Sequence, residues 1–193
     1  MAMRTLFVIC GFFMCTVNAG SAQNLDSLYL LPLYDAVSKD TITLGDYSDK
    51  EYLLLIFTSN YCPYSRKYES RIKDFHGNYA RKGVQLVLVN PNTGTNDSAE
   101  EMERKASQLD YQFPYVSDKD QKLTSALGAR RTPEAYLIRK DVVLYRGAID
   151  DNPQAPDYVE DKYLAQALDQ ALGGQEITEK DVKVIGCLIK RGG

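Results

Sequence analysis

The sequence predicts an α/β fold: a central mixed sheet flanked by helices on both faces, with an N-terminal extension and a C-terminal tail. Three observations predict it. Tyr52–Phe57 and Val84–Val89 are continuous apolar runs of strand length, as expected for strands buried on both faces. Between them, apolar residues recur at spacings of three and four, the helical period. Later, two short apolar runs flank Arg139-Lys140-Asp141, the pattern of an antiparallel hairpin. The resulting order of strand, helix, strand, helix, hairpin and helix requires crossovers that cover a sheet on both sides.

The elements follow in order. Asp26–Lys50 is a lead-in in which Thr41-Ile42-Thr43-Leu44 alternates like a short strand after a turn at Lys39-Asp40. After the Tyr52–Phe57 strand, a helix is expected from Pro63 to about Lys82, with Tyr64, Tyr68, Ile72, Phe75 and Tyr79 as its apolar stripe and Gly83 as its stop. The strand at Val84–Val89 leads into a polar loop, Asn90–Asp97. Asp97 or Ser98 can cap the next helix, which runs to about Leu109, with Glu100 or Glu101 completing a capping box. Phe113–Val116 reads as a short strand, Lys119–Leu127 as a short helix, and Ala135–Ile138 with Val142–Tyr145 as the hairpin. A loop rich in Pro and Asp, Asp150–Asp157, precedes a final helix over Asp161–Leu172. Val182–Lys190 in the tail has strand character.

The first 22 residues read as a cleavable export signal. Met1–Arg4 is a short basic region, Thr5–Val17 is apolar, and Gly20-Ser21-Ala22 supplies small residues for cleavage before Gln23. Cleavage after Ala19 is the alternative. A membrane anchor is disfavoured, because the apolar run is well short of the ~20 residues a spanning helix needs. The remainder, residues 23–193, has the size of one domain with no integral membrane span. Export places it in the periplasm or outside the cell. Cys10 and Cys15 leave with the signal, so Cys62 and Cys187 are the cysteines that meet an oxidising compartment. The whole chain carries a net charge of −3, which argues against a nucleic-acid surface. No His/Cys/Asp cluster has metal-ligand spacing. Asn92-Thr93-Gly94-Thr95 lacks the lysine and glycine spacing of a phosphate loop. No metal or other cofactor is expected.

The chemistry concentrates at Cys62. It stands where the Tyr52–Phe57 strand hands over to a helix, with Pro63 at the first helical position, where a missing N–H costs nothing. Unpaired N–H groups and the dipole of a helix start favour thiolate over thiol. Arg66 is the nearby cation by sequence, and Arg130 and Arg131 are further candidate cations should their loop pack against Cys62, with an ordinary basic surface as the competing role of all three. Ser59 and Thr58 are candidate hydrogen-bond donors to the sulfur, or simple loop caps. Tyr61 is a candidate aromatic lid, or a packing residue. His76, the chain's one histidine, falls several turns along the expected helix, too far to pair with Cys62.

Phe57-Thr58-Ser59-Asn60-Tyr61-Cys62 resembles the thioredoxin pattern of a strand-end Phe, an aromatic and a nucleophilic Cys. Cys62-Pro63-Tyr64-Ser65 resembles the single-Cys form of the glutaredoxin site, and Ser59-x-x-Cys62-Pro63 a peroxiredoxin segment. Gly128-Ala129-Arg130-Arg131-Thr132-Pro133 looks like the thioredoxin-fold loop whose Pro is cis and packs on the nucleophile. Together with Phe113-Pro114-Tyr115, Tyr145–Asp151 and Gly186-Cys187-Leu188-Ile189-Lys190, these segments resemble the thioredoxin-like redoxins, also called AhpC/TSA-like. The resemblance implies a thioredoxin-like fold. It also implies an exported thiol oxidoreductase in which Cys62 attacks a disulfide or peroxide, with Cys187 or an external thiol as its partner. Ser59, Tyr61, Pro63, Ser65, Arg131, Thr132 and Pro133 would support the site.

The departures narrow this reading. Ser65 stands where thioredoxin has its resolving Cys, and Ser59 where the redoxins place a further Cys. Ile56 stands where thioredoxin buries an Asp, and Leu55 where peroxiredoxins place a Pro. A dithiol cycle confined to the motif is therefore ruled out. Cys187 is left as resolving thiol, structural disulfide partner or free cysteine. The competing function is a non-catalytic module with a structural Cys62–Cys187 disulfide, binding an extended peptide at the Pro133 groove.

Overall fold

The computed structural model describes residues 26–191. The expected export signal lies outside the described residues. The elements are α1 (Asp26–Tyr29), β1 (Leu33–Asp35), β2 (Asp40–Ile42), β3 (Tyr52–Phe57), α2 (Pro63–Lys67), α3 (Glu69–Tyr79), β4 (Val84–Asn90), α4 (Ala99–Gln108) and β5 (Tyr115–Ser117). They continue with α5 (Lys122–Leu127), β6 (Arg131–Thr132), β7 (Glu134–Arg139), β8 (Val142–Gly147), α6 (Tyr163–Leu172) and β9 (Cys187–Leu188).

Seven strands form one mixed sheet in the order β2-β1-β5-β4-β3-β7-β8, and β6 with β9 forms a separate two-stranded ladder. The central strands β3, β4 and β5 run parallel; β7 and β8 close one side antiparallel, as the hairpin pattern predicted. Strand alternation divides the core. Leu54 and Ile56 of β3 join Leu86 and Leu88 of β4 beneath Ile72, Met102, Leu164 and Leu168, on the face covered by α3, α4 and α6. Leu53, Leu55 and Phe57 face the other way, onto Leu123 and Leu127 of α5. All six β3 residues are buried, which explains why this strand reads as a continuous apolar run. Helices thus cover both faces, and the thioredoxin-like fold expected from the sequence is the one observed.

Several boundaries differ from expectation. The helix expected from Pro63 to Lys82 is broken at Tyr68, whose φ of −95° and ψ of −4° end α2. The Tyr68 ring is buried, its hydroxyl donates to Asp150 Oδ1 (2.6 Å), and the Arg71 guanidinium stacks 3.7 Å above it. This anchor lies outside the local sequence, so helical periodicity runs through the break without registering it. β1 was not anticipated. It is three residues long, and its antiparallel partners β2 and β5 sit in different parts of the chain. The lead-in strand ends at Ile42, and Leu44–Tyr47 forms a 3-10 turn instead. In the tail, only Cys187–Leu188 is strand, where the segment runs antiparallel to β6.

Candidate active site

β3 delivers its C-terminal end to the site. Thr58 N–H still donates to Val89 O (2.8 Å), so the chain leaves the sheet one residue past the strand. The turn that follows is tied down by a buried carboxylate. Asp97 accepts from Ser59 Oγ (3.1 Å), Asn60 N–H (2.7 Å) and Asn90 Nδ2 (2.9 Å). Tyr115 Oη accepts from Asn90 Nδ2 (3.1 Å) and donates to Asn60 Oδ1 (2.8 Å). Burial, reinforced by the Asp97 charge, holds the Tyr115 phenol well above its ordinary pKa, so it remains a donor. The turn before Cys62 is thereby cross-tied to β4 and β5.

Cys62 is the N-cap of α2 and Pro63 its first residue. Cys62 is 2% exposed. Ser65 N–H points at Sγ from 3.5 Å, and the Thr132 carbonyl oxygen lies 3.1 Å away. The Thr132–Pro133 peptide is cis. Glu134 shapes that loop from beneath: its Oε2 accepts from Arg130 N–H (2.8 Å) and Arg131 N–H (2.9 Å), and its Oε1 from Tyr136 Oη (3.0 Å).

Cys187 is bonded to Cys62, with a Cα–Cα distance of 6.0 Å across 125 residues of sequence. That distance is ordinary for a disulfide. The bond comes with backbone pairing: β9 runs antiparallel to β6, with Thr132 opposite Cys187 and Arg131 opposite Leu188. Arg131 Nη1 donates to Gly186 O (2.8 Å), and Ile189 N–H to Arg130 O (2.9 Å).

The predicted site residues distribute as follows. Cys62, Pro63, Ser65, Thr132, Pro133 and Cys187 converge. Ser59 is buried nearby, but its hydroxyl is turned to Asp97 and accepts from Tyr61 N–H (3.2 Å), the loop-capping role. Tyr61 is 72% exposed and projects into solvent beside the site. Arg131 is engaged by the tail, while the Arg66 and Arg130 side chains are exposed. His76 packs on Phe113 with ring centroids 5.2 Å apart. The Ser65 hydroxyl is buried without a hydrogen-bond partner. Two supporting residues, Asp97 and Glu134, escaped the sequence reading in these roles. Asp97 was visible only as a possible helix cap, and Ser98 takes that cap instead by accepting from Glu101 N–H. Among the described residues, no group of three or more His, Cys, Asp or Glu side chains could hold a metal ion. No described helix is long and apolar enough to cross a membrane.

A strand-end cysteine capping a helix against a cis-proline loop is the arrangement the redoxin resemblance implied. The family model for AhpC/TSA matches residues 30–147, more than half of the sequence. The chain belongs to the AhpC/TSA family. The family match ends before the tail that carries Cys187. Among solved structures, a hypothetical protein from Sinorhizobium meliloti 1021 is 30% identical with a TM-score of 0.77, over 84% of this chain and 91% of that one. The bacterioferritin comigratory protein of Xanthomonas campestris, described for alkyl peroxide reduction, is 16% identical with a TM-score of 0.54, over 77% of this chain and 92% of its own. At that identity the likeness is one of fold. The thiol-disulfide oxidoreductase ResA of Halalkalibacterium halodurans is 27% identical over 88 residues. That match covers 46% of this AhpC/TSA chain and 48% of ResA, about half of each.

Proposed function

We propose that this chain is an exported thiol oxidoreductase whose nucleophile is Cys62 and whose resolving thiol is Cys187. The observation that carries the reading is the pairing of these two cysteines beside the Thr132–Pro133 loop. Family membership and the partial match to ResA support it.

In the reduced enzyme, Cys62 thiolate attacks one sulfur of a substrate disulfide. A Cys62–substrate bond forms, and the other substrate sulfur leaves with the electron pair. Cys187 thiolate then attacks Cys62 Sγ, closes the internal disulfide and expels the second substrate thiolate. Toward a peroxide, the same thiolate attacks the outer oxygen, an alkoxide or hydroxide leaves and takes a proton, and a sulfenic acid remains. Cys187 displaces that oxygen as water and gives the same disulfide. An external dithiol, itself oxidised in the exchange, returns the enzyme to its reduced form. Because Ser65 cannot resolve the mixed disulfide, the second half-reaction depends on the tail.

The test is insulin-type disulfide reduction and peroxide consumption by wild type, Cys62→Ser and Cys187→Ser, with a non-reducing mass map of the oxidised protein. Loss of activity in Cys62→Ser, and a trapped mixed disulfide or dimedone-reactive sulfenic acid in Cys187→Ser, are the expected results. A wild type inert in both assays, with a bond that dithiothreitol leaves intact, would instead make the disulfide structural and the chain a binding module.

A further inference from the structure

The tail lies on the site in the manner of a bound peptide. Residues 187 and 188 pair antiparallel with the two residues that precede Pro133. Side chains alternate as in a strand: Cys187 points in to Cys62, Leu188 is 68% exposed and Ile189 is 7% exposed. Ile189 packs with the cluster of Phe57, Leu123 and Leu127. Side-chain-to-backbone bonds continue beyond the ladder, with Gln121 Nε2 donating to Lys190 O (2.7 Å) and an Arg191 guanidinium N–H to Ala129 O (2.8 Å).

One position is sterically restricted. A Cβ built on Gly186 would sit 2.9 Å from the Thr132 carbonyl carbon and closer still to its oxygen. Both are backbone atoms of the loop beside Cys62, so neither can swing aside. Upstream, the tail has a second and separate anchor. Arg146 N–H donates to Lys180 O (2.9 Å), Val182 N–H donates to Arg146 O (3.0 Å), and the Arg146 guanidinium pairs with Asp181. Gly147, at φ +143°, lets Val182 pass over it. Residues 182–185 between the anchors carry no regular secondary structure, and Ile185 is 54% exposed. A two-residue ladder is marginal without its covalent bond, and the anchor at 180–182 is separate from it.

We propose that residues 186–191 are a tethered occupant of the groove in which the reduced enzyme receives an extended polypeptide. The groove selects a cysteine preceded by glycine and followed two residues later by an aliphatic side chain. This rests on Cys62 being a reactive thiol, as proposed above. It adds a substrate class, polypeptides with a Gly-Cys-x-aliphatic segment, and a gate, the tail itself. Gly186 supplies the close approach to Thr132, Ile189 the buried anchor, and the Arg131 guanidinium and Arg130 carbonyl the main-chain grip.

The experiment uses the reduced full-length Cys187→Ser protein and a synthetic peptide, Val-Ile-Gly-Cys-Leu-Ile-Lys, whose cysteine carries a thionitrobenzoate disulfide. Cys62 thiolate attacks the peptide sulfur. A Cys62–peptide bond forms, and thionitrobenzoate, the better leaving group, departs as a coloured thiolate with the electron pair. The expected result is that peptides with Gly→Val before the Cys, or Ile→Asp two residues after it, react at least about tenfold more slowly. In the chain itself, Gly186→Val combined with Cys187→Ser should accelerate the parent peptide relative to Cys187→Ser alone, because the tail can no longer occupy the groove. Equal rates for all three peptides would overturn the selection rule. No acceleration in the double variant would overturn the tethered occupant. A protein that reacts with the free small disulfide, dithiobis(nitrobenzoate), but shows no peptide preference retains its thiol chemistry and loses only the groove. One that reacts with neither loses both readings.

Discussion

At the scale of residues, the site balances two opposed contacts on one sulfur. The Ser65 N–H favours a thiolate at Cys62, whereas the Thr132 carbonyl, 3.1 Å away, is placed to accept from a thiol S–H. The Ser65 hydroxyl has no partner in the oxidised chain, and its residue's N–H already points at the Cys62 sulfur. Ser65→Ala in the reduced Cys187→Ser background is expected to slow alkylation of Cys62 at neutral pH about two- to tenfold, the range of one modest hydrogen bond. Stopped-time iodoacetamide labelling reads this, and an unchanged rate would assign Ser65 a packing role alone. Asp97 gathers the donors of the turn before Cys62. Asp97→Ala orphans them and should cost about 1–3 kcal/mol in urea unfolding, with Asp97→Asn losing less. His76 permits a cleaner test, because the chain has one histidine. Burial lowers its pKa, so the unfolded chain takes up a proton before the folded one does. Stability is therefore present above the ordinary imidazole value of about 6.5 and is lost as pH falls through the lower folded value. His76→Phe should flatten the melting temperature between those limits while wild type declines.

At the scale of elements, short pieces held by tertiary contacts do the positioning. α2 has five residues, enough to present its first-turn N–H groups to Cys62, and the effect of a helix dipole falls off within that first turn. The break at Tyr68 is fastened to Asp150, which also accepts from Arg71. Tyr68→Phe removes one of these bonds and should cost about 1 kcal/mol, which for a domain this size lowers the melting temperature by about 2–4 °C. A larger loss of activity than of stability would show that the break also aligns Cys62. Asp118 organises α5, accepting from Leu123 N–H, Thr124 N–H and Thr124 Oγ1. Burial raises its pKa despite those bonds. The folded form holds its proton at a pH where the unfolded form has lost it, so this group favours folding more as pH falls through its raised value. Relative to Asp118→Asn, wild type should therefore gain stability on acidification through the carboxylate range, as measured by parallel urea titrations.

At the scale of the whole molecule, the disulfide joins a tail to a site 125 residues away. Chain entropy gives such a closure about 4–5 kcal/mol of stability, so reduction or Cys187→Ser should lower the melting temperature by about 10–20 °C, checked by calorimetry with and without dithiothreitol. The fold was legible because the buried strands β3 and β4 and the β7–β8 hairpin owe their form to runs and periods within a few residues of one another. Cys62 and Pro63 were legible for the same reason: a strand end, a cap and a first-turn proline are local events. Pro133 became legible through its resemblance to a known loop. The role of Asp97 was not, because the groups it holds come from β4 and from the turn after β3, joined only when parallel strands pair. The turning of Ser59 away from the sulfur was hidden by the same folding event. Nor could spacing decide among the three fates of Cys187, since closure entropy barely distinguishes one long loop from another. The sequence by itself determined an α/β sheet with a cysteine at a helix start, because periodicity and capping act between near neighbours. Only the tertiary structure decided that Cys187 lies against Cys62 and that a glycine-led strand fills the groove, because those depend on which backbones meet after the chain has closed.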